Sequence, residues 1–342
     1  MSANEPIVRT GFGARHARSR WASVVSVAVM AILFAFLARK LLLDWESVKT
    51  VPWRVEPFRL LLSFVLLGVY YPLLVWTWCL LMRQLGQPVP FRAGLYVWLG
   101  SQLGKYLPGK VWSLIGRVVL GERAGLDSLR VSVSLVIEMG LNIVAGLLVA
   151  AAAIVVAGGD AIPGKNVILL SIPIGLVVLH PRIFEPLVHR AMRVLKRPDI
   201  VFHWSAAVQY RLVFLYVIGW ALYGAALYLL IDSLEVTAVA RVEGVPLGRL
   251  LFILGANALA WTIGFLAFLT PNGLGVREAT LAFVLKGIMP ASVATLVSLI
   301  ARVWITVAEA IIVLAGWWIG RAAVRRAGER ACAADLAAGR AR

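Results

Sequence analysis

The feature that most constrains this chain is a series of apolar stretches, each about 20 residues long, which is the length that crosses a bilayer core as an α-helix. They recur throughout the 342 residues, of which 61% are hydrophobic. We therefore predict an all-α, polytopic membrane protein forming a single integral membrane domain over residues 1–320. Its full spans are predicted near 21–43, 58–82, 129–157, 166–181, 210–232 and 290–320.

The charge balance fits the same class of protein. The chain carries 34 Lys and Arg against 17 Asp and Glu, a net charge of +17. Basic loops on the cytoplasmic side produce such an excess in multi-span proteins, so no nucleic-acid partner is expected. The basic clusters lie at 9–20, at 182–197 and in the tail at 321–342. We therefore predict a cytoplasmic-membrane protein with both termini and this basic tail in the cytoplasm.

Two further apolar segments, 91–125 and 249–288, are each interrupted by helix-breaking residues. Proline lacks an amide hydrogen and glycine costs about 1 kcal/mol in a helix interior, so each helix should break there. With both termini in the cytoplasm, the chain must cross the membrane an even number of times. Six spans satisfy this if both interrupted segments are re-entrant hairpins, which enter the membrane and return to the same side. If the second hairpin crosses with both arms, eight helices cross instead. The predicted breaks are Pro108, Gly109, Pro271, Asn272, Gly273 and Gly275.

This order of elements repeats. Two spans, a broken hairpin and one span with an internal glutamate occur over about 21–157 and again over about 166–320. An odd number of spans per repeat inverts the second copy, an architecture in which transporters place their site near the membrane midplane. We therefore predict an inverted repeat.

Charged residues within the apolar spans point to a site. Glu138, Arg302 and Glu309 lie inside predicted spans, and each ionised side chain there costs about 3 kcal/mol. Arg302 and Glu309 are two turns apart on one helix, too far for a direct bridge, so their partners must come from another segment. Arg277, Glu278 and the first hairpin are the candidates.

Each hairpin also predicts a place for an anion. The helix that restarts after a break directs its positive N-terminal end and free amides inward. Lys110 and Arg277 fall in those first turns, where a cation is unfavourable unless an anion is near.

Structural roles remain open for several of these residues. Glu278 can simply favour its helix N-terminus, and Arg302 can clamp the two repeats together through a glutamate. Lys105 is interpreted as extending to the cytoplasmic interface.

Enzyme chemistry finds little support. Neither HExxH nor a nucleophile elbow occurs, and the four histidines lack metal-ligand spacing, so we expect no cofactor and no metal. A membrane-embedded transferase using Glu138 or Glu309 as a base remains an alternative.

The segments "LGKYLPGKVWSLIGRVVLGERAG" and "LTPNGLGVREATL", each followed by a charged span, resemble the lysylphosphatidylglycerol synthase transmembrane-region family, a flippase-like domain. The family pattern in the second hairpin is usually PGGLGxRE; here Asn272 replaces a glycine, a mild departure because Asn tolerates left-handed backbone. Fused relatives carry a soluble aminoacyl-transferase half, which we do not see after Trp318. The resemblance therefore implies lipid translocation or lipid-linked glycan synthesis, not lysyl transfer.

The function predicted from these observations is translocation of an anionic phospholipid or polyprenyl-phosphate-linked lipid, with membrane lipids as partners. The alternatives are a transferase or an accessory subunit in cell-envelope synthesis. The expected phosphate ligands are Lys110, Arg117, Arg277 and Arg302, and the charge-balancing or proton-carrying groups are Glu138, Glu278 and Glu309.

Overall fold

A computed structural model of the protein describes residues 54–106, 112–156, 206–234, 246–267 and 273–339, together with isolated positions elsewhere. The regular structure within these ranges is helical. The elements are α1 Pro57–Gln84, α2 Phe91–Gly94, a π-helical turn Leu95–Leu99, α3 Gly100–Gln102, a 3-10 turn Leu103–Tyr106, α4 Trp112–Arg123, α5 Ser128–Val156, α6 Ala206–Ser233, α7 Pro246–Leu266, α8 Val276–Leu285 and α9 Ala291–Gly339.

Among these residues, five helices are long and apolar enough to cross a membrane: α1, α5, α6, α7 and the part of α9 from Ala291 to Ala322. The chain is thus an all-α, multi-pass membrane protein, as predicted. Four of the helices match the spans expected at 58–82, 129–157, 210–232 and 290–320. The spans predicted at 21–43 and 166–181 lie outside the described residues, apart from single positions.

The first hairpin consists of two arms that touch. Its first arm runs from α2 to the 3-10 turn and its second arm is α4. A Cβ atom on Gly104 would lie 2.7 Å from the backbone of Trp112 and Ser113, so only glycine permits this approach. The tip, with Pro108, Gly109 and Lys110, lies outside the described residues.

The second hairpin has unequal arms, α7 and α8. The 21 residues of α7 are enough to cross a bilayer, whereas the 10 residues of α8 extend only about 15 Å. Gly273 and Gly275 adopt left-handed backbone, with φ of 66° and 83°. A Cβ atom on Gly273 would lie 2.6 Å from the carbonyl oxygen of Gly264, so the arms meet backbone to backbone. Pro271 and Asn272 lie outside the described residues, and re-entry of either hairpin stays a prediction.

Small residues and a few polar contacts hold the helices around these hairpins. A Cβ atom on Gly224 of α6 would lie 2.8 Å from the Cα atom of Leu254 in α7, a close approach of the kind that small residues allow between membrane helices. Trp304 of α9 donates a 3.0 Å hydrogen bond to Ser63 of α1. These contacts join α6 to α7 and α9 to α1.

Candidate functional site: a charged cavity between the hairpins

A cavity of about 360 Å³ lies between the hairpins, at the level of Tyr71 in the middle of α1. Residues of α1, α5, α6, α9 and both hairpins line it. Irregular backbone and charge at membrane depth require protein or water around them. The cavity provides such an environment for both hairpins.

One end of the cavity holds the ion pair between Arg117 and Glu138. Their side chains are 7% and 12% exposed. Trp98, in the π-helical turn, donates a 2.9 Å hydrogen bond to Glu138 Oε1, and its ring lies 5.0 Å from the Arg117 guanidinium carbon. The Arg117 Nε atom donates to Ser101 Oγ at 3.2 Å. The charges at this end are therefore balanced.

Glu309, on α9, contacts two residues from the first half of the chain. Its carboxylate forms an ion pair with Lys105 and accepts a hydrogen bond from the Tyr71 hydroxyl. The interpretation of Lys105 as extending to the membrane interface was wrong. Its side chain is 13% exposed and borders the cavity, because the Glu309 carboxylate offers it a partner there.

Arg302 pairs with Glu278 across a hairpin boundary. Arg302 Nη1 lies 3.5 Å from Glu278 Oε1, and the Glu278 side chain is only 2% exposed. Glu278 Oε2 also accepts a 2.6 Å hydrogen bond from the backbone of Gly275. Glu278 therefore caps the N-terminus of α8, one of the interpretations left open by the sequence, and pairs with Arg302. Both residues belong to the second predicted repeat, so this pair does not clamp the two repeats together.

Arg277 is the cation in the cavity wall with the least compensation. It donates to the Tyr223 hydroxyl, and its guanidinium carbon lies 5.7 Å from the centre of the Tyr223 ring. Among the residues that the structure describes, no carboxylate lies within ion-pair distance of it. A smaller chamber of about 40 Å³ brings it together with Lys105, Arg302 and Glu309.

The comparison with protein families agrees with this architecture. The family model described as the lysylphosphatidylglycerol synthase TM region matches residues 23–316. The chain belongs to this family. A search of curated proteins finds no match.

For this member of the lysylphosphatidylglycerol synthase transmembrane-region family, the structure brings most of the predicted site residues together. Arg117, Glu138, Arg277 and Glu309 line the larger cavity, and Arg302 lines the smaller chamber. The partners expected for Arg302 and Glu309 are confirmed as Glu278 and a first-hairpin residue, Lys105. The roles assigned to these residues remain proposals, and the predicted ligand Lys110 lies outside the described residues.

Sequence analysis missed the aromatic residues at the site: Tyr70, Tyr71, Trp98, Tyr216, Tyr223, Trp261 and Phe265. Aromatic residues in apolar spans are indistinguishable by composition from core or lipid-facing positions. A signal does exist for two of them. Tyr71 follows Arg59 in "RLLLSFVLLGVYYP" at the same spacing as Tyr223 follows Arg211 in "RLVFLYVIGWALYG".

Proposed function

We propose that this protein translocates an anionic lipid, either a phospholipid or a polyprenyl-phosphate-linked lipid, across the cytoplasmic membrane, with both chain termini in the cytoplasm. The headgroup passes through the charged cavity while the apolar chains stay in the bilayer. Arg277, Arg302 and Lys105 hold the phosphate, joined by Lys110 from the tip of the first hairpin.

The observation that carries this proposal is the unequal charge at one end of the cavity. The smaller chamber is lined by Lys105, Arg277 and Arg302 but by one carboxylate, Glu309. Including Glu278 behind Arg302, three positive charges face two negative charges among the residues that the structure describes. An uncompensated charge at membrane depth costs about 3 kcal/mol, and a phosphate at this place would remove that cost.

The ion pair between Lys105 and Glu309 makes the arrangement reversible. A bound phosphate competes with the Glu309 carboxylate for Lys105. While Lys105 binds the phosphate, the Tyr71 hydroxyl still donates a hydrogen bond to Glu309. When the phosphate leaves, the pair reforms. The empty site is thereby stabilised without an anion, which favours release of the headgroup.

The inverted repeat is part of the same proposal. The matched arginine-to-tyrosine spacing in α1 and α6 supports it, as does the occurrence of two hairpins whose own arms are in close contact. In this arrangement Tyr71 and Tyr223 are equivalent residues. One contacts a carboxylate, Glu309, and the other a cation, Arg277.

Reconstitution in liposomes tests the proposal. Headgroup-labelled phosphatidylglycerol or polyprenyl phosphate is placed in both leaflets, and access of a membrane-impermeant quencher is followed. Wild type should expose the inner-leaflet label, and Arg277→Gln should slow this by about tenfold or more, since a hydrogen bond to a charged group contributes about 1.5–3 kcal/mol.

Arg123→Gln is the matched control. Arg123 ends α4 and is exposed, so its removal should leave the rate within twofold. Failure of wild type to move either lipid contradicts translocation. A new covalent lipid product after incubation with a labelled glycosyl donor would favour the transferase alternative.

A further inference from the structure

The two ends of the cavity differ in charge. Counted over the described part of the chain, the chamber with Arg277 carries an excess of positive charge, whereas Arg117 and Glu138 at the other end neutralise each other. A phosphate group would compensate the positive charge at the first end. The second end has no net charge for a phosphate to compensate. The second end is suited to a neutral group, because a guanidinium offers donors and a carboxylate offers acceptors side by side.

An unpartnered hydroxyl faces this balanced end. Tyr216 lines the cavity and is 1% exposed, and its hydroxyl has no hydrogen-bond partner among the described residues. It lies near enough to Glu138 and Arg117 to interact with both electrostatically. A buried hydroxyl without a hydrogen-bond partner is unfavourable, because it has lost its bonds to water without gaining others. A ligand hydroxyl at this place would supply the missing partner.

Other groups that both donate and accept hydrogen bonds line the same cavity. Asn142 lines the cavity one helical turn from Glu138, and Gln102 and Ser113 line it from the first hairpin. Amides and hydroxyls of this kind match the hydroxyl groups of a neutral ligand, which also donate and accept. None of these residues was assigned a role by the charge pattern in the sequence.

An aromatic wall completes the site. The rings of Trp261 and Phe265 stack with centroids 5.1 Å apart and planes 5° apart, and both residues line the cavity. A wall of this kind offers apolar surface to the C–H faces of a saturated ring. The cavity volume of about 360 Å³ corresponds to roughly twelve water-sized volumes, far more than a phosphate alone requires.

We infer that the headgroup is a hexose-sized, neutral polyhydroxylated ring, either a sugar or an inositol, esterified to the lipid phosphate. The phosphate binds at Arg277, and the ring binds against Trp261 with a hydroxyl on Tyr216. This inference rests on the proposed function and names the class of lipid that the cavity selects.

Binding of soluble headgroups tests the inference on the full chain in detergent. The probes are glucose 1-phosphate, inositol 1-phosphate and inorganic phosphate, titrated by calorimetry. One of the two ring phosphates should bind wild type at least about tenfold tighter than inorganic phosphate. Tyr216→Phe should reduce that preference by roughly fivefold, the loss expected for one neutral hydrogen bond. Arg277→Gln should weaken binding of all three probes alike.

Tyr210→Phe serves as the control, because Tyr210 lies on the same helix but is 46% exposed. Melting temperatures of both variants establish that each is folded. Equal affinity of wild type for inorganic phosphate and both ring phosphates overturns the inference, as does an unchanged preference in folded Tyr216→Phe.

Lipid exchange in liposomes distinguishes a sugar headgroup from an inositol headgroup. It also tests the ring inference separately from anionic-lipid translocation. Liposomes contain polyprenyl phosphate, polyprenyl phosphohexose, phosphatidylglycerol or phosphatidylinositol. Faster exchange of only the phosphohexose assigns a glycan carrier, and faster exchange of only the inositol lipid assigns a phospholipid. Equal exchange of all four overturns the ring inference but keeps anionic-lipid translocation. No exchange of any lipid overturns both.

Discussion

The ion pair between Arg117 and Glu138 gives the sharpest prediction for stability. Its side chains are 7% and 12% exposed, and Glu138 also accepts a hydrogen bond from Trp98. Glu138→Gln keeps an oxygen for Trp98 but removes the charge, which leaves Arg117 without its carboxylate. Arg117→Gln leaves Glu138 equally uncompensated.

The expected magnitude follows from the burial of the pair. Removing one member of a buried ion pair costs about 3–5 kcal/mol. The lower value of about 3 kcal/mol applies here, because the cavity can admit water and the Arg117 guanidinium keeps its contacts with Ser101 and Trp98. A loss of this size should lower the melting temperature by roughly 5 °C. The double variant Arg117→Gln/Glu138→Gln should lose less than the sum of the two, by about 2 kcal/mol.

The assay is unfolding in bicelles by steric trapping, with melting in detergent as a second measurement. Arg123→Gln, on the exposed end of α4, should change the free energy of unfolding by less than about 0.5 kcal/mol. Two single variants that each lose less than about 0.5 kcal/mol, or losses that simply add in the double variant, would refute the argument that the pair is buried and mutually dependent.

Further predictions concern the backbone contacts and the partner of Glu138. Gly264→Ala places a Cβ atom 2.9 Å from Cβ of Arg277 and should slow lipid exchange several-fold, whereas Gly68→Ala, with open space around it, should not. Gly273→Ala forces a side chain into left-handed backbone with φ of 66° and against the Gly264 carbonyl; we expect a fall of about 2 kcal/mol or more in the free energy of unfolding. Trp98→Phe removes one hydrogen bond to a carboxylate and should cost about 1.5 kcal/mol by steric trapping. An unchanged exchange rate in Gly264→Ala, or unchanged stability in the other two variants, would contradict the corresponding contact.

The spans were predictable because hydrocarbon thickness fixes their length. The expected spans at 58–82 and 210–232 fall within Pro57–Gln84 and Ala206–Ser233, since continuous apolar sequence has few alternatives to a membrane helix. The contacts of α8 were predictable for a similar reason. Glu278 lies three residues beyond Gly275, where a carboxylate favours the helix N-terminus. It was also a candidate partner for Arg302, because a charge inside an apolar span requires an opposite charge nearby.

Other parts of the site could not be derived from periodicity. The contact between Tyr71 and Glu309 joins residues 238 positions apart, and nothing local to Tyr71 specifies it. Lys105 was misjudged because a lysine near a hairpin tip can reach either a membrane surface or an inward carboxylate, and only the packed arms decide between them. Tyr216 had no charge or breaker beside it to distinguish it from the apolar face of α6.

The contacts of Glu309 also determine the order in which the protein can complete its fold during synthesis. Arg117 and Glu138 are 21 residues apart, so they can pair early. Tyr71 waits for a partner 238 residues later, which at roughly 5–20 residues per second takes about 10–50 s of translation. During that interval the Tyr71 hydroxyl lacks the Glu309 carboxylate as its acceptor. The contact between α1 and α9 through Tyr71 and Glu309 is therefore among the last that the chain can form.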